Sequence, residues 1–196
     1  MYFDWHVWLG TGASILLLVL TIPYIRSVLT STTRPSAVSL IGWSLLAAIA
    51  AAAQASKGIG WSLMVPVLSV LSSGAIAVAV IRGGRTMRTR ADSFSIVLGM
   101  LAIASWAITK EPLIAIVLSI IADFAASIPT LVKTYASPKS EPPLVWALYA
   151  LGVALEIVAT RELTLYSLLF PIYSVCVSGS IAFLAFRKNR TVSKVI

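Results

Sequence analysis

Apolar residues along this chain come in long uninterrupted blocks, with neither the alternation of a half-buried strand nor the three-four spacing of a surface helix. Seven blocks stand out: Trp5–Ile25, Ala37–Ser56, Trp61–Ile81, Ser93–Thr109, Leu113–Val132, Leu144–Thr160 and Leu163–Phe186. Most reach the ~20 residues that cross ~30 Å of hydrocarbon; the fourth and sixth are near the lower limit. In lipid an open strand would leave backbone groups unpaired, so each block is expected to be a helix. The first block carries Asp4 where a secretory leader would carry a basic start, so it is taken as part of the bundle.

The cations sort by loop. If seven helices alternate, one side receives Arg26, Arg34, Arg82, Arg85, Arg88, Arg90, Lys133, Lys139, Arg187, Lys188, Arg190 and Lys194. The other receives only Lys57, Lys110 and Arg161. Lys and Arg mark the cytoplasmic side, which predicts an outside N-terminus and a cytoplasmic C-terminus. The run from Arg82 to Arg90 also suits anionic lipid.

Composition agrees. Of 196 residues, 59% are hydrophobic and 11% charged, against roughly 25% charged in soluble domains. The net charge of +8 is accounted for by one membrane face, so nucleic acid is not an expected partner. One cysteine, Cys176, and one histidine, His6, exclude an internal disulfide, a cysteine metal cluster and paired-histidine motifs. There is no phosphate-binding loop of the GxxxxGK[ST] type, which argues against ATP-driven pumping by this chain alone. No cofactor or metal is expected.

The chain repeats itself. Trp61–Arg82 laid over Tyr166–Arg187 matches at ten of 22 positions, including Pro66/Pro171, Ser69/Ser174, Ser73/Ser178, Gly74/Gly179 and Arg82/Arg187. An offset of 106 places Ile22-Pro23 on Ile128-Pro129, and Trp43 finds a counterpart in Trp146. The expected architecture is therefore an all-α membrane protein of seven transmembrane helices: a three-helix repeat (1–90), a linker helix (91–110) and a second three-helix repeat with a basic tail (111–196). The odd linker leaves the two repeats parallel, and transporters built this way hold substrate between the repeats near the midplane.

On these features the chain resembles the PQ-loop superfamily, which includes the SWEET-type sugar facilitators and the KDEL cargo receptors. The resemblance covers nearly the whole chain. The family's Pro-Gln pair stands here as Pro23-Tyr24 and Pro129-Thr130, each followed by a polar loop. The segment with Asp123, Pro129-Thr130, Pro138, Glu141 and Trp146 looks like bacterial members of this type, which implies a multi-pass protein of a bacterial cell membrane. Where sugar facilitators carry Asn and Trp, this sequence has Pro66 and Pro171, and Gln54 and Glu156 with apolar neighbours. The resemblance thus implies fold and transport mechanics, and does not imply sugar.

The candidate binding residues are Asp123, Glu156, Gln54, Trp43, Trp146 and Tyr173. Asp123 falls mid-helix, where a charge costs ~2.5–3.5 kcal/mol on insertion scales and should face the bundle interior. Cation or proton coupling and contact with a polar solute are its functional readings. A protonated Asp bonded to a freed backbone carbonyl is the structural one. Its repeat partner is Leu17, so the site is expected to be asymmetric. Glu156 and Gln54 could frame an outer gate, or Glu156 could simply reach water. Trp43, Trp146, Tyr149 and Tyr173 could wall a solute; Trp5, Trp8, Trp61 and Tyr166 suit the outer interface. Pro23, Pro129, Pro66 and Pro171 are candidate hinges, because proline removes a helix hydrogen bond; static kinks are the alternative. The alanine-rich run 47–55 reads as close helix packing.

The function expected is transport of a small polar solute, by a facilitator or an ion-coupled carrier. The alternatives are a non-transporting receptor or assembly partner, and a vitamin-binding subunit of an energised complex. No catalytic residues are expected, and an enzyme is the least supported class. The expected partners are the lipid bilayer and a small-molecule solute, with a homo-oligomer left open.

Overall fold

The computed structural model describes residues 4–30, 33, 35, 37–56, 63–83, 97, 100–101, 104–105 and 108–187. Among them are six complete helices and no strand: α1 (Trp5–Leu29), α2 (Ala37–Ala55), α3 (Met64–Arg82), α4 (Pro112–Ala136), α5 (Pro143–Ala159) and α6 (Leu165–Phe186). A 3₁₀ turn, Pro138–Ser140, joins α4 to α5. The expected linker helix lies mostly outside the described residues; Met100, Leu101, Ala104, Ser105, Ile108 and Thr109 are helical.

Four helices, α1, α3, α4 and α6, are long and apolar enough to cross a membrane, while α2 and α5 carry shorter apolar stretches. The chain is in this sense a multi-pass membrane protein. Its periphery is apolar: Ile22, Leu71, Val132 and Phe183 are all more than half exposed, which is costly in water and suits lipid. Helices α1 and α4 each run 25 residues, past the apolar blocks at the end bearing Arg26 and Lys133.

Local chemistry sets the helix ends. Glu111 caps α4 by accepting from Leu113 N–H, and Pro112 occupies the first turn, where its missing donor has no cost. Thr164 and Ser167 form a reciprocal capping box on α6. Before α4 the backbone turns at Lys110, whose φ of 55° lies in the left-handed region. Inside the helices, serine hydroxyls donate to the preceding turn: Ser69 to Val65 O, Ser127 to Asp123 O and Ser174 to Phe170 O. This lets polar residues sit in an apolar bundle without orphaned donors.

The hinge prolines divide. Pro23, Pro129 and Pro171 lie inside α1, α4 and α6. Pro66 is the third residue of α3 as described. There it sits among the helix's initial N–H groups, which have no intrahelical acceptor, so it interrupts no described hydrogen bond.

The helices close into a ring. α1 packs on α3, α3 on α2, α2 on α4, α4 on α6, α6 on α5, and α5 back on α1. Small residues allow the closest approach: at Gly152 of α5 a Cβ would lie 2.7 Å from Leu17 Cδ2 of α1. Two apolar layers line the interior of the ring. One gathers Leu17, Ala50, Val65, Val153 and Phe170; the other gathers Tyr24, Val28, Leu40, Ile76 and Val80 toward the end bearing Arg82 and Lys133. A third cluster, with Leu46, Ile49, Ala53, Ala115 and Ile116, fills the contact of α2 with α4.

Candidate functional site

Between these layers lies a cavity of about 120 Å³, bordered by residues from all six helices. At ~30 Å³ each that is room for about four waters, and it approaches the ~150 Å³ that holds a benzene ring. Asp123 of α4 borders it, with Trp43 of α2, Trp146 and Tyr149 of α5, and Tyr173 of α6. Four of the six candidate binding residues therefore share one cavity.

Asp123 is held by a phenol. Tyr173 O–H donates to its Oδ2, linking α6 to α4. The partner is a side chain, not a backbone carbonyl freed by proline. Its other oxygen, Oδ1, remains for a ligand or water. Tyr149 O–H donates to Ser69 Oγ at 2.9 Å, because the Ser69 proton is committed to Val65 O. Trp43 Nε1 and Thr21 Oγ1, also at the cavity, have no protein partner. Buried donors without partners are uncommon and mark places where a ligand or water completes the bonding.

The lining follows the sequence repeat. Six pairs that the alignment superimposes both border the cavity: Leu17/Asp123, Thr21/Ser127, Trp43/Trp146, Ser69/Ser174, Ser72/Val177 and Ser73/Ser178. The pairs are not equal. Asp123, Tyr149 and Tyr173 occupy places where the first half has Leu17, Leu46 and Leu68, and Ser72 stands opposite Val177 in the alignment. The carboxylate and its phenol lie on the second half of the chain, the unpartnered donors Thr21 and Trp43 on the first.

Glu156 and Gln54 do not border the cavity. Glu156 is fully buried at the α1–α5 seam, where its Oε1 accepts from Ser14 at 2.5 Å and its Oε2 has no partner. It does not reach water as an interfacial carboxylate would. Gln54 is equally buried, and both its polar side-chain atoms lack partners. Trp5 and Trp8 are exposed, as interface residues would be. Tyr166 instead donates to Glu111 Oε1 at 3.2 Å, tying α6 to the start of α4.

Sequence reasoning singled out Glu141 only as part of a resemblance. The structure makes it a hub, 2% exposed. Tyr24 O–H donates to Oε2 at 3.1 Å, Trp146 Nε1 to the same oxygen at 3.0 Å, and Lys133 Nζ to Oε1 at 2.5 Å. Tyr24 and Trp146 border the cavity and meet edge-on, ring centres 6.0 Å apart. Glu141 thus ties α1 to α4 and α5 at the end bearing Lys133. Arg85, Arg88 and Arg90, the rest of the basic run after Arg82, lie outside the described residues. At the opposite end Arg161 pairs with Asp4, and His6 Nδ1 lies 3.3 Å from Ala159 O. The guanidinium hydrogen bond holds the Asp4 carboxyl below the usual carboxylate range.

Comparison with known proteins finds no matching family model, no matching curated protein and no matching solved structure. Among the described residues, no group of three His, Cys, Asp or Glu side chains could hold a metal ion.

Proposed function

We propose that this protein is a membrane transporter that carries a small polar solute by alternating access, as a facilitator or an ion-coupled carrier. The observation that carries the reading is the cavity itself. It is bordered by every complete helix, holds a carboxylate at mid-helix, and retains unpartnered donors in an otherwise apolar bundle. An ionisable group at such depth is a functional candidate by default, because insertion selects against it.

Two further features favour two parallel units moving against one another. The ring order α1–α3–α2–α4–α6–α5 is unchanged when α1, α2 and α3 are exchanged for α4, α5 and α6. The paired lining residues follow the same exchange. Both are what a two-fold axis along the membrane normal would give, in keeping with the resemblance to the PQ-loop superfamily. The loop cations favour a cytoplasmic location for the Lys133 end.

Counterflow in proteoliposomes tests the reading, with a metabolite panel spanning sugars, amino acids, amines and nucleosides. Saturable uptake of one class, reduced at least tenfold in Asp123→Asn, is the expected result. Ligand binding without any flux would instead assign the chain to the receptor class.

A further inference from the structure

We infer that the cavity is built for a small organic ammonium ion, its charge against Asp123 and its apolar body against the leucine side. The assignment rests on the cavity being the solute site of the transport reading, and deepens it by naming the solute class.

Charge comes first. Among the described residues, Asp123 is the one carboxylate on the cavity wall, and no Lys, Arg or His borders it. With Tyr173 on Oδ2, its Oδ1 is left to meet a donor. An anion would face this carboxylate with no cation to offset it. A bare metal ion needs about six oxygen ligands, and the described residues offer no cluster of that kind.

The walls are aromatic. Tyr24, Trp43, Trp146, Tyr149, Phe170 and Tyr173 all border the cavity. A carboxylate within aromatic faces is the arrangement that attracts an alkylammonium or quaternary ammonium group, through Coulomb attraction and the negative ring faces together.

A polyol is a poor match, because most of the hydroxyls here are already used. The protons of Ser69, Ser127, Ser174 and Ser178 go to carbonyls of their own helices. Among the described residues, Trp43 Nε1 and Thr21 Oγ1 are the buried donors at the cavity without a protein partner, a short list for a ligand with a hydroxyl on every carbon. Leu17, Leu20 and Leu40 also border the cavity and supply an apolar surface, so an ion with a short alkyl arm fits where a fully polar one does not.

The test is binding to purified full-length protein of three probes with the same alkyl arm: butylammonium, 1-butanol and butyrate. Butylammonium should bind at least tenfold more tightly than 1-butanol, and butyrate should not bind measurably. Asp123→Asn should bring butylammonium to the level of 1-butanol while leaving 1-butanol unchanged. In case that variant fails to fold, Trp43→Leu removes a ring whose Nε1 has no partner, and should weaken tetramethylammonium about fivefold. Equal binding of butylammonium and 1-butanol, measurable butyrate binding, a preference that survives Asp123→Asn, or tetramethylammonium affinity unchanged in Trp43→Leu overturns the assignment. Counterflow separates the two levels. Ammonium binding without flux sinks the transport reading and leaves this one standing. Flux of a neutral or anionic solute without ammonium binding does the reverse.

Discussion

Tyr24 of α1 donates its hydroxyl to Glu141 across the seam between the first three helices and the last three, at 3.1 Å. Because Tyr24 also borders the cavity, this bond would, on the transport reading, be part of a closure at the Lys133 end. That reading has a measurable consequence. Tyr24→Phe keeps the ring and its packing but removes one of three donors to a buried carboxylate. A hydrogen bond to a charged group contributes about 1.5–3 kcal/mol, so the melting temperature should fall. The Lys133 end should open more often. With Cys176→Ser as background, a cysteine placed by Ser178→Cys at the cavity should be alkylated faster by a water-soluble reagent once Tyr24→Phe is added. An unchanged rate would mean that the bond is static packing.

Glu156 is expected to be structural. It is fully buried, touches Ser14 and does not border the cavity. Ser14→Ala would strip its remaining donor and should cost about 1–3 kcal/mol, the usual penalty for an orphaned buried acceptor. Glu156→Gln should melt within a few degrees of wild type and bind solute unchanged. A loss of binding in Glu156→Gln, with the fold intact, would return this residue to the site.

Gly152 fixes the spacing of α1 and α5. A Cβ there would meet Leu17 Cδ2 at 2.7 Å and Cγ at 3.1 Å. Leu17 borders the cavity, so the space into which it can yield is the cavity itself. Gly152→Ala should therefore leave a folded protein whose solute affinity falls several-fold. Gly12, where a Cβ meets nothing within 4 Å, is the control: Gly12→Ala should be silent or slightly stabilising. Equal effects of the two would mean that the α1–α5 spacing does not set the cavity.

The Asp4–Arg161 pair predicts a pH effect at the opposite end. Arg161 depresses the Asp4 carboxyl in the folded state. Its contribution is then present above the unfolded value of about 3.9, and is lost as pH falls through the lower folded one. Amide protection in the first turn of α1, relative to the unstructured rate at each pH, should fall as the pH is lowered below that value. Asp4→Asn should abolish the pH dependence, and molar salt should reduce it.

Much of this was legible in the sequence, for physical reasons. Lipid tolerates few charges, so apolar blocks located the helices and the isolated Asp123 announced itself. Boundaries were less legible where helices continue past the hydrocarbon, as α1 does to Leu29 and α4 to Ala136. Spacing along one helix says nothing across helices. Tyr173 and Asp123 were therefore candidates separately, and only the ring order joins them. Glu156 and Gln54 read as polar residues of the site, yet both are fully buried and neither borders the cavity. Glu141 was the reverse case. It lies in a polar loop, where a carboxylate usually faces water, and its three donors come from 117, 5 and 8 residues away.

Pairing Leu17 with Asp123 also bears on how such a chain could be assembled from halves. A dimer of the first half alone would set leucine against leucine and have nothing to hold a charge. A dimer of the second half alone would set two carboxylates against each other in one small space, where both cannot stay ionised without a cation between them. On the two-repeat reading, only the unequal pair gives a single negative point beside an apolar wall. Co-expressed fragments would then restore binding only as the mixed pair.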